Sequence, residues 1–138
     1  PEAVIHRLTP QEEALKELAQ LRANTEIVEQ KRYKEFSILV SNIIRRYIEN
    51  RWGIPAMDET SFEIINDLRR KNLEADLIQK FTTFFENCDL MKFAKHEPQP
   101  SEMTDLMDLA EVIVRATPLP ELSIDHPQNT AMNKEARS

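Results

Sequence analysis

Gly53 is the only glycine in a chain of 138 residues. Sheet proteins and phosphate-cradling loops use glycine for tight turns and close backbone approach. Its scarcity therefore argues for helices and against P-loop or dinucleotide-binding folds. Cysteine is equally scarce. Cys88 has no second cysteine to pair with, which excludes an internal disulfide and a zinc site built on sulfur partners, and suits a reducing compartment. No apolar run reaches the roughly 18 residues that a membrane-spanning helix needs. Positive charge is in deficit, with 18 Lys and Arg against 24 Asp and Glu, for a net charge of −6. Such a chain lacks the broad positive surface through which non-specific nucleic-acid binders release counterions, although a local basic patch stays open.

What remains suits one helical domain. Hydrophobic residues make up 41% and charged residues 30%, enough apolar side chain for one core and too much for a disordered tail. The eight prolines fall mostly where helices would begin or have ended.

Capping chemistry marks the helices. Thr9-Pro10-Gln11-Glu12 reads as a start, with Thr9 as cap, Pro10 in the first helical position and Glu12 closing a capping box. Leu15, Leu18 and Leu21 or Arg22 give this first helix a narrow stripe to about Asn24, so it is expected to lie on the bundle rather than in it. A second helix is expected from about Glu29 to Trp52. Tyr33, Phe36, Val40, Ile43 and Tyr47 recur at steps of three and four, and Leu39, Ile44 and Ile48 widen the face. Gly53 ends it and Pro55 prevents its continuation.

Thr60-Ser61-Phe62-Glu63 is a second capping box. It opens a short helix that uses Phe62, Ile65 and Leu68 and ends near Arg70-Lys71-Asn72. A fourth helix from Leu73 or Glu74 to about Asn87 aligns Leu77, Ile78, Phe81, Phe84, Phe85 and Cys88. Asp89 to Lys95 forms either its last turns or a separate short helix. A fifth starts at Gln99 or Ser101, with Pro100 as a plausible first residue, buries Met103, Leu106, Met107, Ala110, Ile113 and Val114, and stops before Pro118. The expected architecture is an all-α bundle of four to five helices with short loops. Residues 1–8 form an N-terminal linker, 9–117 the bundle and 118–138 a polar flexible or extended tail.

Candidate chemistry is thin. His6, His96 and His126 are far apart and lack the spacing that sets two ligands on one helix face, so they read as solvated loop residues. Asp89, Lys92, Lys95 and His96 would form an acid–base cluster only if they converged; helix-end pairing explains them more simply. Cys88 sits beside Phe84 and Phe85 and reads as a buried structural thiol. Basic residues gather at helix ends: Lys31, Arg32 and Lys34, then Arg45, Arg46 and Arg51, then Arg69, Arg70 and Lys71. A face joining them would meet anionic lipid, nucleic acid or an acidic partner. Tyr47, Trp52 and Phe93 read as core staples near helix ends, and an exposed Trp52 would instead mark an interface.

The order of these signals resembles a known family. Ala14-Leu15-Lys16-Glu17-Leu18-Ala19-Gln20-Leu21, Lys34-Glu35-Phe36, Arg45-Arg46-Tyr47-Ile48-Glu49-Asn50-Arg51-Trp52, Glu59-Thr60-Ser61-Phe62-Glu63 and Asp89-Leu90-Met91-Lys92-Phe93-Ala94-Lys95 followed by Pro98 and Pro100 carry the likeness. Over about residues 12–117 the chain resembles the C-terminal cytoplasmic domain of membrane-anchored BatD-like proteins. Those are encoded beside MoxR-type AAA+ ATPases and von Willebrand factor A proteins in aerotolerance operons. Two features depart from the family pattern: the membrane span is not among these residues, and residues 118–138 have no counterpart in it.

The sequence opens on Pro1 rather than methionine and has no signal-peptide pattern, so it is expected to be a piece of a longer protein that holds the span. The resemblance implies a module on the cytoplasmic face of the inner membrane. The expected function is non-enzymatic protein–protein docking through Arg45, Arg46, Arg51 and Trp52, with a MoxR-type ATPase or a von Willebrand factor A protein as partner. No catalytic residue, cofactor or metal is expected. The alternative is a helical nucleic-acid-binding module that reads through the short helix after Thr60, and a third reading is an enzyme of unknown type built on Asp89 and His96.

Overall fold

Both expected capping boxes close. Thr9 Oγ1 accepts from Glu12 N–H at 3.1 Å while Glu12 accepts from Thr9 N–H at 2.9 Å. Thr60 and Glu63 repeat the exchange at 3.2 and 2.9 Å. Each box satisfies two of the backbone donors that a helix start leaves free. The computed structural model describes residues 7–94 and 97–118; the expected N-terminal linker and tail lie largely outside them.

The described chain is all helical. The helices are α1 Pro10–Ala23, α2 Thr25–Glu29, α3 Tyr33–Trp52, α4 Ser61–Arg70, α5 Ala75–Lys92 and α6 Pro100–Ala116, with a single 3₁₀ turn at Ala56–Asp58 before α4. Helix α3 is the axis of the bundle and packs on α1, α5 and α6; α6 also packs on α1 and α5, and α4 packs on α5. Phe36, Val40, Ile44, Tyr47 and Ile48 of α3 are buried against Leu18, Leu68, Phe81, Phe84, Ala110, Ile113 and Val114 in one core. Each large side chain so buried contributes about 1.5–3 kcal/mol over leaving it in water.

Several expectations need correction. The long second helix starts later than expected, at Tyr33, and an unanticipated short helix, α2, precedes it. Lys31 takes a left-handed φ of 57°, Arg32 N–H bonds Ile27 O at 2.9 Å, and Lys31 N–H bonds Val28 O at 3.0 Å. That double bond pattern is a Schellman end, which stops α2 and lets α3 begin in a new direction. Helix α1 belongs to the bundle rather than lying on it, because Leu18 is fully buried and Ala14 and Leu21 are buried with it. On α4 the buried residues are Ile64, Ile65 and Leu68, while Phe62 is 73% exposed. Leu39 lies at the edge of the α3 face, outside the core. Of the two alternatives for the stretch from Asp89, the first holds: its turns continue α5 as far as Lys92. Gly53 does end α3, with φ 72° and its N–H on Glu49 O at 2.9 Å. Met103, Leu106, Met107, Ala110, Ile113 and Val114 of α6 are all buried, as their spacing requires.

Candidate functional site

The arginines of α3 reach three different neighbours. Arg45 donates to Ala56 O at 2.7 Å, to Glu59 O at 2.6 Å and to Ser41 Oγ at 3.1 Å, and lies over the Phe85 ring at 5.4 Å. It thereby fixes the turn between α3 and α4. Arg46 faces α1 and pairs with Glu17 at 3.1 Å on the surface. Arg51 donates to Tyr47 OH at 2.8 Å and to Pro118 O, and stacks on Trp52 at 5.1 Å. Trp52 is half-buried and meets Tyr47 and Phe81 edge-on, with ring centroids 5.8 and 6.1 Å apart. Arg45 and Arg51 thus bind main-chain carbonyls of their own chain, which helix periodicity alone does not reveal.

A polar clasp surrounds Arg51. Gln11 Nε2 donates to Val114 O, Thr117 O and Thr117 Oγ1 at 2.9, 3.0 and 3.2 Å, and Tyr47 OH shares a hydrogen with Thr117 Oγ1. These bonds tie the start of α1 and the end of α3 to the end of α6, where open carbonyls need donors.

Asp89 and Lys92 border a cleft of about 170 Å³ with Arg45, Ser37, Ser41 and Met57. His96, the other half of the acid–base cluster, and Lys95 lie outside the described residues, as do His6 and His126. Cys88 is buried beneath this cleft. Desolvation, and then the charge of Asp89, push its thiol far above the ordinary range, so it is held as the unreactive thiol. At the end of α4, Arg70 pairs with Asp67 at 2.6 Å and Arg69 bonds Asn66 at 3.4 Å. Among the described residues no cluster of His, Cys, Asp and Glu has the geometry to hold a metal ion, and no helix is long and apolar enough to cross a membrane.

A larger concave feature with apolar and polar lining lies elsewhere. Asn87, Leu90, Met91, Phe93 and Ala94 at the end of α5, Pro98 in the connection, and Glu102, Asp105 and Leu106 at the start of α6 line a groove of about 540 Å³. Leu90 and Phe93 are 71% and 70% exposed. Phe93 is therefore not a core staple, in contrast to its sequence reading. A signal for both residues was present. The core stripe of α5 runs through Leu77, Phe81, Phe84, Cys88 and Met91, and the helical period sets Leu90 and Phe93 together on another face. Comparisons with protein-family models, curated proteins and solved structures give no match to the chain.

Proposed function

We propose that this chain is a non-enzymatic protein–protein interaction module that docks its partner through the α5–α6 groove. One observation carries the reading: two large apolar side chains, Leu90 and Phe93, stand about 70% exposed beside a concave surface. Water-exposed apolar groups around a concavity mark interaction sites, because covering them releases hydration free energy that the isolated domain leaves unused. The arginines of α3 take a different role here. Arg45 and Arg51 hold the scaffold together, and Arg46 stays on the surface with Glu17.

The family resemblance supplies the setting. In this reading the module sits on the cytoplasmic face of the inner membrane, tethered by a span outside these residues, and its partner is a MoxR-type ATPase or a von Willebrand factor A protein. The test is cross-linking of the 138-residue chain in a lysate of the source cells, with captured proteins identified by mass spectrometry. Recovery of either protein class supports the reading. Recovery of neither overturns it.

A further inference from the structure

We draw no further inference here: the strongest candidate, the cleft of about 170 Å³ between α3 and α5 lined by Ser37, Ser41, Asn42, Arg45, Asp89 and Lys92, carries nothing, because Arg45 is already bonded to Ala56 O, Glu59 O and Ser41 Oγ, Lys92 lies over the Phe93 ring, and nothing in the structure shows which ligand the cleft would take.

Discussion

The guanidinium of Arg45 donates to the main-chain carbonyl of Glu59, fourteen residues along the chain, at 2.6 Å. The same nitrogen reaches Ala56 O at 2.7 Å, so one side chain fixes both ends of the turn that carries the chain from α3 to α4. Removing it strands two carbonyls and one cation–π contact with Phe85. Arg45→Ala is expected to cost about 2–3 kcal/mol in urea unfolding, because hydrogen bonds from a charged donor are among the stronger ones. Arg46→Ala, which loses only the surface pair with Glu17, is expected to cost less than about 1 kcal/mol. Equal losses at the two positions would contradict the assignment of Arg45 to the scaffold.

Lys31 and Gly53 both occupy left-handed backbone, at φ 57° and 72°. A side chain there costs about 1–2 kcal/mol relative to glycine, partly offset by the extra freedom glycine has when unfolded. Lys31→Gly is therefore expected to raise stability by up to about 1 kcal/mol. Gly53→Ala is expected to lower it by about 1 kcal/mol through backbone strain alone, since nothing lies within 4 Å of the added Cβ. Chemical denaturation of the two variants checks both signs.

Glu59 carries an opposite lesson about pH. Its Oε1 is buried without a hydrogen-bond partner. Burial, then the adjoining Asp67, then the charge of Glu63, hold its carboxyl above the ordinary carboxylate range, and Arg45 opposes them. The folded state thus binds this proton more tightly than the unfolded chain does. Its stabilising contribution is complete below the unfolded value, about pH 4, and is lost as pH rises through the folded value. Glu59→Gln is expected to raise the urea midpoint at neutral pH and to gain little at about pH 4. A gain that is the same at both pH values would show that the proton plays no part.

In α4 the expected stripe is Phe62, Ile65 and Leu68, yet Ile64 is fully buried and Phe62 is 73% exposed. Ile64→Ala is expected to cost about 2–5 kcal/mol, and Phe62→Ser less than about 1 kcal/mol, in the same unfolding assay. The reverse order would place Phe62 in the core and Ile64 outside it.

That contrast generalises. Helix starts were legible because Thr9 and Thr60 each carry their glutamate partner three residues on. The core faces of α3, α5 and α6 were legible from apolar spacing over four or more turns. The short α2 and the true start of α3 were hidden because a lysine, not a glycine, holds the left-handed position between them. The short α4 has too few turns for periodicity to choose between Phe62 and Ile64. The roles of Arg45 and Arg51 depend on loop carbonyls that no spacing rule places beside them. Leu90 and Phe93 were visible as apolar residues, but their shared face mattered only once α6 supplied the second wall.

The most direct measurement maps amide chemical shifts of the isotope-labelled chain while the partner recovered by cross-linking is added. The account predicts that the largest changes fall at residues 87–94 and 102–106, on both walls of the groove. Changes centred on residues 45–52, the arginine segment of α3, or no changes at all, would contradict it.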